Sequence, residues 1–315
     1  MPDTALTNDD IAKFVDTNDA WIRSRTGIRQ RHKLASGDNA SDLGFRAAQA
    51  ALSDAGIGAD ALTHVMVATC TPDMLSPSVA CLIAGRLGAE NVMAFDVGAA
   101  CSGFLYGLSL CQALLLQTPA AHILFVCTEA LTRRVNWNDR STCVLFGDAA
   151  TACLLSARHD ASLASLEDVI CMSDGGKEYL IHVGGGTSCA YELGEAVDER
   201  FFITMHGRET YKHAVRNMTQ VCEDLLARNN LTVDDVQLLV PHQANLRIIE
   251  AVGARLKISD DKVFTNVAQY GNTSSASIPL AVAEAMNNGR IRPGDRVLTT
   301  AFGAGLTWGA ALLRF

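Results

Sequence analysis

Charge is scarce in this chain. Charged residues fill 19% of its 315 positions, aromatic ones 6%, and the net charge is −8. A deficit of positive charge argues against general nucleic-acid affinity, which rests on neutralising phosphates. There is no C-x-x-C pair and no H-E-x-x-H, so no ligand spacing points to a metal, and none is expected. No apolar run reaches membrane-spanning length without interruption. The opening MPDTALTNDD has neither the basic nor the apolar part of a signal peptide. A soluble, cytoplasmic protein is expected. The ten cysteines are scattered through apolar segments, as at Cys70, Cys81, Cys111, Cys127 and Cys153. Without a secretion signal, buried reduced thiols are the default for such residues.

Apolar residues, by contrast, make up 49%, in a length that suits two domains or one large duplicated one. The stretch over 92–117 is VMAFDVGAACSGFLYGLSLCQALLLQ. It predicts a strand over 92–97, a small-residue turn over 98–103, and then a helix. With Phe104, Leu105, Leu108, Leu110, Leu114, Leu115 and Leu116, that helix is apolar nearly all round and belongs inside the protein. Cys101 stands at its entrance among Ala99, Ala100, Ser102 and Gly103, side chains too small to screen a thiol. Unpaired N–H groups and the positive dipole end should lower its pKa and favour the thiolate. Cys101 is the candidate nucleophile.

The rest alternates helices and strands. Thr7 opens a short helix through Asn8, Asp9 and Asp10. A polar stretch over 16–29 holds Trp21, Arg23, Arg25 and Arg29. It reads either as a solvated connection or as an anion site with an aromatic platform. Helices over 42–54 and 77–87 follow, with strands over 62–69, 123–128 and 151–155. The second half repeats the order. Residues 52–62 and 226–236, which lie 174 positions apart, each run helix end, short turn, strand. Gly85-Arg86-Leu87 echoes Ala254-Arg255-Leu256, and Phe146-Gly147 matches Phe302-Gly303. An internal duplication follows, with halves of 1–160 and 161–315. The alternation predicts an α/β architecture of mixed, mostly parallel sheets with helices packed on them. Matching strand-to-helix junctions then meet, where such folds hold ligands.

Three junctions carry polar residues: Cys101, His242 and Asn272. His242 follows a buried strand ending at Pro241 and precedes a helix starting near Asn245. A lone histidine at a strand end is commonly a satisfied polar group, but its junction makes it a candidate. Asn272, before a helix over 281–288, is by itself an N-cap. Beside a thiol and an imidazole it becomes a candidate donor to a developing oxyanion. The segment FGAGLTWG over 302–309 lacks G-x-G-x-x-G spacing and leads into a strand, which excludes a dinucleotide loop. Its backbone N–H groups suit half of an oxyanion hole instead. The run Gly184-Gly185-Gly186 reads as a flexible loop.

Four motifs now stand in order: AACSGF around Cys101, PHQAN around His242, GNTSSASIP around Asn272, and the ending FGAGLTWGAALLRF. Together they resemble β-ketoacyl-acyl-carrier-protein synthase III over residues 7–315. The resemblance implies a thiolase-like fold, five-layered αβαβα, with two pseudo-twofold halves and assembly as a homodimer. It implies initiation of type II fatty-acid synthesis without a cofactor. Cys101 takes an acyl group from acetyl-CoA or another short acyl-CoA, and malonyl-acyl-carrier protein then condenses with loss of CO2. His242 and Asn272 would assist the decarboxylation, with the N–H groups of Cys101 and Ala304 as oxyanion hole. Thr17, Trp21, Arg25, Arg140 and Asn245 match coenzyme A positions, Trp21 and Arg140 sandwiching the adenine. Arg208, Lys212, Arg216, Arg247, Arg255 and Lys257 are candidates for docking the acidic carrier. Ser76, Leu131, Phe146, Met205 and Phe302 would line the acyl pocket.

The sequence departs from the family at three places. The family opens with a strand and turn before the Thr7 helix, for which positions 1–6 are too short, so the chain starts upstream or a strand is missing or replaced. Ala304 interrupts a glycine triplet and narrows the backbone's freedom. Ser76 stands where some members carry a bulky residue, which would admit a longer primer. A thiolase needs a second cysteine near the C-terminus, yet the last here is Cys222. The alternative that stays open is a secondary-metabolism relative. It would be a polyketide- or quinolone-type initiation synthase, or an acyltransferase to an alcohol or amine.

Overall fold

The computed structural model describes residues 1–157, 162–184 and 201–315. Gly185 and Gly186 of the glycine run lie outside the described residues. In chain order the elements are β1 (Thr4–Thr7), α1 (Asn8–Ile11), α2 (Asp19–Thr26), β2 (Gln30–Lys33), α3 (Ala40–Ala55), β3 (His64–Ala68), α4 (Val79–Leu87), β4 (Met93–Val97), α5 (Gly103–Gln117), β5 (His122–Glu129) and β6 (Ala149–Ser156). There follow β7 (Ser165–Ser173), β8 (Ile181–Val183), β9 (Ile203–Met205), α6 (Gly207–Arg228), β10 (Leu238–Pro241), α7 (Leu246–Leu256), α8 (Val267–Tyr270), α9 (Ser277–Asn287), β11 (Arg296–Gly303) and β12 (Thr307–Arg314).

Local chemistry sets many of these boundaries. Thr7 and Asp10 form a reciprocal capping box at α1. Asn18 caps Trp21 N–H, so most of the 16–29 stretch is the helix α2 and not an open connection. Gly27, Gly56 and Gly88 end α2, α3 and α4 in left-handed conformation.

Two four-stranded sheets form the centre, ordered β4-β3-β5-β6 and β10-β11-β12-β7. Parallel pairing joins β3 to β4 and β5, and β10 to β11; β6, β12 and β7 run antiparallel. The sheets are therefore mixed, with the parallel strands feeding the junctions. Both faces are covered. In β3 and β5, Met66, Ala68, Ile123, Phe125 and Cys127 turn to one apolar cluster, and Val65, Val67, Leu124 and Val126 to another. The first cluster also holds Phe104, Leu105 and Leu108 of α5 with Ile278, Ala281 and Ala285 of α9. Helices α3 and α4 cover the outside of the first sheet, and α6 and α7 that of the second. The order is α, β, α, β, α. A Cβ at Gly107 would lie 2.0 Å from the Phe125 ring, so glycine lets α5 approach β5.

The duplication is visible at the centre. Ala100 (φ 45°) and Ser274 (φ 49°) both stand in the left-handed region as the first residue of a 3₁₀ turn that leads into a central helix. They lie 174 positions apart, the spacing found between the halves. In the second half β4 is echoed by a single parallel bridge, Leu239 to Val263.

Two expectations are corrected. The segment Ala100–Gln117, long and apolar enough by composition to cross a membrane, packs into the central apolar cluster of the fold. Its helix α5 nonetheless has a wet face, with Leu110 41% and Leu116 79% exposed. Cys81 is exposed and Cys70 and Cys153 half-buried, because they fall on partly covered faces; Cys111 and Cys127 are buried. At the N-terminus β1 pairs with β2 in a small separate sheet. Among the described residues β6 is an edge strand, whereas β7 covers the corresponding edge of β12.

Candidate active site

Cys101 lies in the 3₁₀ turn Ala100–Ser102, between β4 and α5. The turn is pinned to the second half: Ser102 Oγ donates to Thr307 O (3.1 Å) and Thr307 Oγ1 to Ala99 O (3.1 Å). Burial pushes the Cys101 thiol up to about 12, opposed by a hydrogen bond from Ser274 and aided by the nearby Glu129 charge. The expected thiolate is thus corrected to a resting thiol. Desolvation of the anion outweighs the helix-entry position. Iodoacetamide labelling of Cys101 should therefore accelerate about tenfold per pH unit from roughly pH 6 to 9. A plateau in that range, read by mass spectrometry of the Cys101 peptide, would reveal a preformed thiolate.

Asn272 is 7% exposed and held by backbone on both sides. Its N–H donates to Leu145 O (2.8 Å), and its C=O accepts from Gly147 N–H (3.0 Å). Its side-chain Oδ1 accepts from Ser274 N–H (2.9 Å), which leaves Nδ2 as the donating atom. Next to it, Ser275 Oγ donates to the fully buried Glu129 carboxylate at 2.7 Å. Glu129 also accepts from Cys70 N–H (3.1 Å) and Thr71 Oγ1 (3.1 Å). Burial pushes its carboxyl above the usual range and the Ser275 bond pulls it back. This carboxylate ties the segment carrying Asn272 to the first half.

His242 is 3% exposed, just beyond β10, with its backbone N–H donating to Thr300 O (2.8 Å). Burial lowers its pKa to about 3, so the imidazole is neutral at physiological pH. Its Nδ1 sits 2.6 Å from Ser277 Oγ. All three candidates therefore converge on one short segment, 272–277. Ser274 opposes the rise in the Cys101 pKa, Asn272 begins the segment, and His242 meets Ser277.

The matching Phe-Gly pairs cross-brace this centre. Phe146 bridges to Asn272, while a Cβ on Gly303 would lie 2.8 Å from Cys101 N. Each half's pair thus presses on the other half's functional residue, and Gly303 has no room for a side chain. Ala304 stays outside the left-handed region while Gly305 takes φ 138°, so alanine fits where the family carries glycine.

The model of the 3-oxoacyl-[acyl-carrier-protein (ACP)] synthase III family matches residues 95–175, with Cys101, and its C-terminal counterpart residues 226–315, with His242 and Asn272. A β-ketoacyl-[acyl-carrier-protein] synthase III of Nitratidesulfovibrio vulgaris Hildenborough is 58% identical, over 100% of this chain and 96% of its own. The chain belongs to this family. The synthase III of Roseiflexus castenholzii is 45% identical over 100% of this chain and 95% of that one. The solved 3-oxoacyl-[acyl-carrier-protein] synthase III of Aquifex aeolicus superposes with a TM-score of 0.91 at 40% identity, covering 100% and 97% of the two chains. The family's thiolase-like fold is the one described above, and its members are acyltransferases that condense acyl units.

The remaining positions are distributed as follows. Arg140 stacks on Trp21, 4.7 Å from the ring centre, and donates to Asp16 O (3.0 Å). An intercalated base would need about 7 Å, two contact distances, so Arg140 must swing away to admit one. The Thr17 hydroxyl is buried without a partner, and Asn245 caps α7 while its Nδ2 donates to Arg25 O (3.2 Å). Leu131, Phe146 and Met205 share one apolar cluster, whereas Phe302 packs in another with α6 and Ser76 is exposed. The sequence reading missed Glu129, Ser275 and Ser277. A carboxylate ending the apolar strand HILFVCTE and the serine run after Asn272 were the available signals. Among the described residues no group of His, Cys, Asp and Glu could hold a metal ion.

Proposed function

We propose that Cys101, His242 and Asn272 carry out the initiating condensation of type II fatty-acid synthesis. The observation that carries this reading is the setting of Asn272: its side-chain Oδ1 is occupied by Ser274 N–H, so its Nδ2–H is left to donate. With a neutral His242 it supplies two donors and no base strength, which is what an enolate requires.

In the first step the Cys101 sulfur attacks the thioester of acetyl-CoA or another short acyl-CoA. The thiol proton leaves with the coenzyme A thiolate, and an acyl-enzyme remains. Malonyl-acyl-carrier protein then loses CO2, and its enolate oxygen is held by Nε2–H of His242 and Nδ2–H of Asn272. The carbanion attacks the acyl carbonyl, whose oxyanion is held by the N–H groups of Cys101 and Ala304. Each such donor is typically worth ~3 kcal/mol of barrier. Collapse releases 3-oxoacyl-carrier protein and the Cys101 thiolate, which takes a proton from water to restore the thiol. Since decarboxylation makes the carbanion, the residues described suffice for every step. The 58% identity to a whole chain of that name supports fatty-acid initiation over the secondary-metabolism alternative.

The finer assignments belong to the same reading. Thr17, Trp21, Arg25, Arg140 and Asn245 take the coenzyme A nucleotide, Arg and Trp stacking on its base. Arg208, Lys212 and Arg216 are exposed at four-residue intervals on α6, and Arg247, Arg255 and Lys257 are exposed on or next to the adjoining α7. That basic face suits an acidic carrier although the chain's net charge is −8. The halves divide near residue 160. Pairing as a homodimer is supported by the free edge of β4 with Met93 55% exposed, and by Leu75 at 86% before α4. The unpaired thiols among the described residues suit a cytoplasmic setting.

Mass spectrometry after mixing with acetyl-CoA should show one acetyl group on the Cys101 peptide. Malonyl-carrier protein should discharge it with release of CO2. No label on Cys101 would refute the mechanism, and label without CO2 release would favour acyl transfer to another acceptor.

A further inference from the structure

We propose that Ser277 is a positioning residue that fixes the tautomer of His242, so that Nε2 carries the hydrogen. This deepens the reading of the site given above and rests on it. Ser277 Oγ lies 2.6 Å from His242 Nδ1, both buried, and is also approached by Gln243 N–H at 3.4 Å.

A backbone N–H can only donate, so the serine oxygen acts as acceptor toward Gln243 and retains one hydroxyl hydrogen to give away. If Nδ1 carried the hydrogen, two donors would point at Oγ and the serine O–H would be buried without an acceptor, which is costly. If Nδ1 is the acceptor, every group is satisfied. The chain Gln243 N–H, Ser277 O–H, His242 Nδ1 then runs one way and ends with a hydrogen on Nε2. Neutrality of the ring, already set by burial, is what makes the choice of nitrogen matter.

The position of Ser277 in its helix leaves its hydroxyl available. Thr26, at the end of α2, and Thr219, inside α6, give their hydroxyls to the carbonyls of Ile22 and Val215 four residues back. Ser277 is the first residue of α9, directly after the 3₁₀ turn Ser274–Ala276, and its hydroxyl meets His242 and Gln243 instead of a carbonyl of that turn. The same segment thus orients both enolate donors: Ser274 N–H turns the Asn272 amide, and Ser277 O–H sets the His242 ring.

The first test reads the tautomer in the intact wild-type protein by ¹⁵N NMR of labelled histidine at neutral pH. His242 should give the Nε2–H pattern; an Nδ1–H pattern overturns the proposal whatever the activity. In Ser277→Ala the pattern should shift toward the Nδ1–H form. CO2 release from malonyl-carrier protein should fall roughly 10²-fold, while acetylation of Cys101 by acetyl-CoA stays within a few-fold. Ser277→Thr, which keeps the hydroxyl, should recover most of the loss. Equal loss in both half-reactions, or no rescue by threonine, overturns it too. Failure of the functional reading is distinguishable, since it would appear as wild-type protein that neither acetylates nor decarboxylates.

Discussion

Cys101→Ala should stop acyl transfer altogether and reduce condensation by at least about 10³-fold, because the covalent route disappears with the sulfur. Acetyl-CoA should leave no label on the variant. Release of CO2 from malonyl-carrier protein should survive, since the enolate is held by His242 and Asn272 and not by the thiol. The substitution removes one atom from a half-buried position among small residues, so the fold should be little disturbed. A rival thiol is Cys70, whose sulfur lies 3.8 Å from Ser274 Oγ. It is a poor substitute. Burial and the Glu129 carboxylate, 3.3 Å from its sulfur, both push its pKa well up. Acetyl-CoA label on Cys70 in the Cys101→Ala protein, with condensation within tenfold of wild type, would move the nucleophile there.

His242→Ala and Asn272→Ala should each lower decarboxylation by roughly 10²- to 10³-fold, the usual loss when one donor to a developing oxyanion is removed. Acetylation of Cys101 should be affected far less. The two losses should not add, because the donors share one enolate oxygen. Asn272→Asp is the sharper probe. It keeps the shape, yet it replaces the donating N–H by an oxygen, so it should decarboxylate more slowly than the alanine variant. Burst measurements of acyl-enzyme and CO2 with separate substrates read the two steps independently. If acylation and decarboxylation fell together in both variants, the roles assigned to this pair would be wrong.

The sequence carried the features whose causes are local. Thr7 before Asp10 and Gly56 after Ala55 mark helix ends because each cap bonds within a few residues, a signal that Asn18 before Trp21 also carries although the polar 16–29 stretch hid it. The spacing of 174 positions exposed the duplication, and the structure repeats it in the paired left-handed residues Ala100 and Ser274. Small residues around Cys101 and the junctions holding His242 and Asn272 were legible for the same reason: they describe turns.

Other features were decided only by tertiary structure. That the Cys101 thiol is protonated, that Arg140 closes on Trp21, and that α5 leaves Leu110 and Leu116 in water depend on what packs alongside. The partners that orient the donors lie far off in the chain. Ser277 is 35 residues from His242, and Glu129 is 146 from Ser275. The sequence alone determined a two-half α/β chain with a cysteine, a histidine and an asparagine at its turns. The fold decided which atom of each faces the substrate and in which protonation state. Those depend on burial and on hydrogen bonds between the halves, and neither leaves a periodic trace in the sequence.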